Sequence, residues 1–228
     1  MNEILLILTL VIEYSAVVLA YRFFGKRGLF AWIVLATILA NIEVMMLVEA
    51  FGIEMTLGNI LFASTFLATD ILGEMYDKRV ARQGAIIGIA SSIAFALISA
   101  SWLLYQPSYN DTNSNAILSI FSHTPRIVAA SVIVYAIVQL LDVSLYHKIW
   151  ELTQKQGDSK SGLWIRNNVA TIISQIVNAI LYNIIAFAGT YPTKTIVAII
   201  ISNVLIYIVT SLADTPFLYW ARNLLVKK

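Results

Sequence analysis

Long apolar runs separated by short polar clusters organise this chain. Seven runs, at 4–22, 29–48, 57–75, 83–104, 126–146, 167–188 and 195–219, alternate with "RFFGKRG", "EAFGIE", "YDKRVARQ", "YQPSYNDTNSNAILSIFSHTP", "HKIWELTQKQGDSKSGLWIR" and "GTYPTK". Runs of about 20 residues match the hydrocarbon thickness of a bilayer. Backbone groups in lipid must bond internally, so each run is expected to be a helix. The third run opens with "GIEMTLGN" and ends in acids. It fits either a full span or a shorter re-entrant segment shielded by protein. The expectation is an all-α integral membrane protein, a polytopic bundle of six to seven transmembrane helices, forming one membrane domain over 1–228. The polar segment 105–125 is expected to fold partly over an outer cavity.

Composition agrees with that pattern. The 228 residues are 59% hydrophobic and 12% charged, against about 25% charged in soluble domains. The first run has neither a basic flank before it nor a clear cleavage site, so it reads as a span and not a leader. With no cysteine there is no disulfide framework and no thiolate metal site. A net charge of +2 is too small to suggest nucleic-acid binding.

Short cytoplasmic loops collect Lys and Arg. Arg22, Lys26 and Arg27 follow run one, and Lys78, Arg79 and Arg82 follow run three. Lys148, Lys155, Lys160 and Arg166 follow run five, and Arg222, Lys227 and Lys228 follow run seven. That places 13 of the 15 basic residues on one side, the other two being Arg126 and Lys194. The expected orientation is N-terminus outside and C-terminus in the cytoplasm.

The polar residues inside the spans fall in stripes. Tyr135, Gln139, Asp142 and Tyr146 are spaced four, three and four apart, on one helix face. Asn168, Thr171, Gln175, Asn178 and Tyr182 do the same in run six, flanked by Asn167 and Ser174. Two such faces could line one cavity. Amides would match the hydrogen-bonding edge of a flat heteroaromatic ligand and rings would cover its faces. The competing reading is interhelical glue, a common use of Asn, Gln, Ser and Thr in membranes.

In "TDILGEMYDKRVARQG", Asp70 and Glu74 lie one helical turn apart. They fit a salt-bridge cluster fixing helix register, with Arg166 or Arg82 as partner, or recognition of an amidine-like ligand edge. Glu13, Glu43 and Asp214 are further intramembrane acids, each needing a partner. Glu43 and Asp214 lie at depths that allow them to face the same cavity as the stripes. No G-x-x-x-x-G-K-[ST] loop is present, His123 and His147 are far apart, and no mid-helix lysine occupies the last span. An ATPase, a histidine metal site and a retinal protein are set aside, and no cofactor is expected.

"TDILGEMYDKRVAR", "QLLDVSLYHKIWELTQ" and "LWIRNNVATIISQIVNAILY", in that order, resemble the queuosine precursor transporters, also grouped as vitamin uptake proteins. The resemblance runs over roughly 55 to 220. It implies a bacterial cytoplasmic-membrane importer of 7-deazaguanine bases: the cyano form, the aminomethyl form or queuine. On those motifs the implied substrate-binding residues are Asp70, Glu74, Gln139, Asp142, Arg166, Asn167, Asn168, Gln175 and Asn178, with Glu43 added as a further acid. The family often carries an acid where this chain has Asn178. Proton coupling and a homodimer are compatible with the sequence. So are two other classes: a substrate-binding subunit of an energy-coupling-factor transporter, and a structural membrane protein.

Overall fold

The computed structural model describes residues 1–44, 46–121, 125–153 and 162–224, with the side chains of 53, 54 and 125–128 excepted. His123, the side chain of Arg126, Lys155, Lys160, Lys227 and Lys228, all weighed above, lie outside the described residues.

The first element, α1 (Asn2–Glu43), is two helical arms joined at Gly25, whose φ of 59° and ψ of −141° are not helical. A straight helix of 42 residues would be about 63 Å long. Instead the Asn2 side chain donates to the Glu49 carbonyl at 2.8 Å, and the Glu3 carboxylate accepts from the Phe51 N–H at 3.3 Å. The chain therefore doubles back at Gly25, where only glycine takes that backbone conformation cheaply. Gly28 lets the arms close up, since a methyl there would overlap the Ala20 carbonyl. Runs one and two are these arms.

Run two ends earlier than expected, and "EAFGIE" is more than a turn. Strands β1 (Leu47–Ala50) and β2 (Ile53–Thr56) form an antiparallel hairpin, with Leu47 opposite Thr56 and Ala50 opposite Ile53. Phe51 and Gly52, at φ 54° and 70°, make the two-residue turn, in which both central residues need positive φ. Ala50 and Met55 pack against Leu6, Ile60 and Ile206. The hairpin so caps the bundle end that holds the N-terminus.

Five more long helices follow: α2 (Gly58–Met75), α3 (Lys78–Trp102), α5 (Pro125–Thr153), α6 (Leu163–Phe187) and α7 (Thr193–Asn223), with the short α4 (Ser114–Phe121) between α3 and α5. Asp77 starts α3 by accepting the Val80 N–H at 2.9 Å, a side-chain N-cap. Phe121 of α4 packs edge-on to Trp102 and Phe95, near the C-terminal end of α3. Five described helices are long and apolar enough to cross a membrane, α1 counted as one.

Cross-helix pairs show that α2 runs along the same axis. Asn59 near its start meets Tyr207, while Glu74 near its end lies 3.6 Å from Arg222, so α2 is parallel to α7. Lys26 N–H donates to the Tyr76 hydroxyl and Trp32 donates to Ser64, so the second arm of α1 is antiparallel to α2. Asp142 meets Ser174 while Tyr146 lies over Arg166, so α5 and α6 are antiparallel. Among the described residues, seven helical segments thus alternate in direction, and run three is the central one. From Gly58 to Gly73 it is buried apart from Phe62. Protein on all sides explains why this helix tolerates two carboxylates that lipid would not. Its Leu67, Ile71 and Leu72 form the core with Tyr14, Val17, Leu29 and Ile33 of α1. Outward-facing Ile4, Leu8, Leu97, Ile137, Ile173 and Val209 are exposed, as a lipid-facing surface requires.

Candidate functional site

The two stripes face the bundle interior, as their spacing predicts. Gln139, Asp142, Arg166 and Asn167 are each 0% exposed, and Asn168, Gln175 and Asn178 are buried with them. Asp70 is buried on α2, one turn above Glu74. Together these residues form a polar column along the bundle axis.

At the middle level, the Ser174 hydroxyl donates to Asp142 Oδ1 at 2.6 Å, and Asp142 Oδ2 has no hydrogen-bond partner among the described residues. Asn178 donates to Gln175 Oε1 at 3.1 Å, which leaves Gln175 Nε2 without one. Gln139, one turn from Asp142, has neither amide atom bonded among the described residues. The Thr171 hydroxyl lies 3.4 Å from Asp70 Oδ2, and Asp142 and Asp214 are within electrostatic reach of Asp70. No Lys or Arg lies within 4.0 Å of Asp70, Asp142 or Asp214 among the described residues.

Just below, α6 is tied to α7. Asn167 Nδ2 donates to Asp214 Oδ1 at 2.6 Å and to Thr215 Oγ1 at 3.2 Å, and Asn168 Nδ2 donates to Thr215 at 2.8 Å. At the end of the column, Arg166 binds Glu74 through Nε at 3.1 Å and through a terminal nitrogen at 2.7 and 2.8 Å. Tyr146 also donates to Glu74, at 3.0 Å. The guanidinium lies 4.3 Å from the Trp150 ring centre. Of the two partners expected for this acid pair, Arg166 is the one used, while Arg82 is exposed.

Opposite that end, Tyr207 donates to Asn59 Oδ1 at 3.3 Å and Tyr135 shares a hydrogen bond with Thr37 at 3.3 Å. Glu43 is not brought into the column. It sits half-buried beside Gly58, near Glu13, about a full α2 length from Glu74. Thr215, Asn59, Trp150 and Arg222 belong to the column although the stripe pattern of runs five and six does not include them. On α7, Tyr207, Ser211 and Asp214 repeat the four-then-three spacing of run five, and that signal was available to find the third wall.

A buried polar column runs through seven helical segments that alternate in direction and expose apolar side chains outward. These features define the class: a polytopic helical membrane protein. The chain matches the family described as "Putative vitamin uptake transporter" over residues 56–221, and it belongs to that family. A transporter and not an enzyme is what that membership makes it. It is similar to a "Probable queuosine precursor transporter" of Bacillus subtilis (strain 168), 34% identical over 215 residues that cover 94% of this chain and 92% of the relative. No solved structure matches the chain.

Proposed function

We propose that the protein imports 7-deazaguanine precursors of queuosine across the cytoplasmic membrane, with the base held at the middle level between α2, α5 and α6. One observation carries this reading: among the described residues both atoms of the Gln139 amide are buried without hydrogen-bond partners, beside an Asp142 Oδ2 likewise without one on the same helix face, with an unpartnered Nε2 of Gln175 on the facing helix. Buried polar groups in a finished structural contact are bonded. A set left open on both donor and acceptor sides suits a ligand that brings both. A deazaguanine does so, presenting a ring N–H and an exocyclic amine beside a carbonyl. Asp142 would take the N–H groups, and Gln175 or Gln139 would take the carbonyl.

Of the precursors, the aminomethyl base fits best, because its ammonium supplies the cation that Asp70, Asp142 and Asp214 lack nearby. The basic end of the bundle, with Lys78, Arg79 and Arg222, would face the cytoplasm. Coupling to protons through one of these carboxylates is the energy source the arrangement supports, and uptake indifferent to an uncoupler would contradict it.

The test uses a host without queuosine synthesis or uptake, expressing this chain and fed each base at low concentration. Queuosine in tRNA is read as a mobility shift on a boronate gel. Restoration with a deazaguanine, lost in Asp142→Asn protein that still reaches the membrane, is expected. No restoration with any precursor, from folded protein in the membrane, overturns the reading.

A further inference from the structure

The polar column is closed at its basic end by a side-chain lock that a binding role does not account for. Glu74 sits in the last turn of α2, Arg166 in the first turn of α6, Arg222 in the last turn of α7, and Tyr146 two turns from the end of α5. Four helices that all end there thus meet on one carboxylate. Both its oxygens accept from Arg166, Tyr146 adds a third donor at 3.0 Å, and Arg222 lies at 3.6 Å. A carboxylate so occupied has little left to offer a ligand. Arg166 is covered in turn by Trp150, and its exposure is 0%.

Buried ion pairs stabilise a fold poorly compared with apolar packing, and their best-attested use is to set register or to switch. The lock lies directly under the middle level. Glu74 is one turn below Asp70, and Tyr146 is one turn below Asp142. A base leaving the middle level toward this end must pass between the same four helix termini. Helix α7 is also weakened there, because Pro216, between Asp214 and Arg222, has no N–H for the Leu212 carbonyl. The end of α7 that carries Arg222 is therefore the one best able to swing away.

We propose that the Glu74–Arg166 pair, with Tyr146 and Arg222, is the gate at the basic end of the transport path, closed in this structure and broken each time solute leaves on that side. The inference rests on reading the column as the path, but not on which base is carried.

The chain contains no cysteine, so a single introduced thiol reports without background. Ala170 is buried one turn from Arg166 and one turn from Ser174 on the same face of α6, between gate and middle level. Ala170→Cys would be labelled with a membrane-impermeant maleimide in vesicles of known sidedness, without ligand. Exchanging a hydrogen bond on a charged group for a neutral one shifts a population about tenfold. Glu74→Gln should therefore raise the labelling rate from the basic face about tenfold, and Tyr146→Phe about fivefold, with no rise from the opposite face. An unchanged rate, or an equal rise from both faces, overturns the gate. If Glu74→Gln does not reach the membrane, Tyr146→Phe decides alone. Labelling needs no solute, so a failed gate and a failed deazaguanine reading are separate results.

Discussion

Replacing Gln139 by Leu separates a ligand site from interhelical glue. The side chain is 0% exposed, and neither its oxygen nor its nitrogen has a hydrogen-bond partner among the described residues. A buried amide without partners costs about 1–3 kcal/mol on the scale of protein mutations. Leucine has similar volume and no polar atom, so the empty protein should gain about that amount. For a chain of this size each kcal/mol moves the melting temperature by about 2–4 °C. The expected rise is about 2–12 °C in ligand-free protein, followed in detergent by tryptophan fluorescence. The same substitution removes a donor and an acceptor from the site, so a deazaguanine that raises the melting temperature of the parent protein should no longer raise that of the variant. Gain in stability with loss of response is the signature of a group held unsatisfied for a ligand. A fall in melting temperature on Gln139→Leu would refute the reasoning, because it would mean that the amide is part of a helix-holding contact.

Arg166→Met should destabilise the protein by about 3–5 kcal/mol, since it leaves Glu74 buried without its main partner, and a thermal melt with and without Glu74→Leu should show the two changes to be non-additive. Thr215→Val removes the acceptor shared by Asn167 and Asn168; a loss of about 1–3 kcal/mol is expected in the same melt. A methyl at Gly88 would overlap the Tyr135 hydroxyl, so Gly88→Ala should cost about 1–3 kcal/mol and weaken ligand binding by displacing that stripe. Asp111 caps α4: its carboxylate accepts from the Ser114 hydroxyl and from the N–H groups of Asn113 and Ser114, which hold it below the usual carboxylate range. A depressed folded value means that the cap contributes above the ordinary value of about 4 and is lost as pH falls through the lower one, so hydrogen exchange in α4 should quicken at pH 3 relative to pH 5, beyond the intrinsic change, and not in Asp111→Asn.

Much of this was legible because membrane helices obey a strong constraint. Once lipid forces a helix, four-and-three spacing fixes which side chains share a face, and Gln139, Asp142 and Gln175 emerge on inner faces without tertiary information. The inward aim of Asp70 and Glu74 follows from the same rule. The hairpin was not legible, because "LVEAFGIEMT" continues an apolar run and four-residue strands are too short for their period to stand out. Nor could spacing say that Asn167 and Asn168 bond α7, or that Trp150 covers Arg166. Such pairings, 47 or 48 residues apart for the amides and on neighbouring helices for Trp150 and Arg166, depend on how the helices are arranged around one another. Glu43 shares its chemistry with Asp70 but sits at the other end of the bundle, a difference of depth that a run boundary five residues too long obscured.

The central claim is that a guanine-type edge is read by Asp142 with Gln139 and Gln175. Isothermal titration of the purified protein with 7-aminomethyl-7-deazaguanine tests it most directly, with the corresponding 7-deazaadenine as the control lacking that edge. The account predicts one saturable site for the deazaguanine, about 10- to 150-fold weaker in Asp142→Asn for the loss of one charged hydrogen bond, and no saturable heat from the deazaadenine. Equal affinity for the two bases, or an Asp142→Asn protein that binds as tightly as the parent, would contradict it.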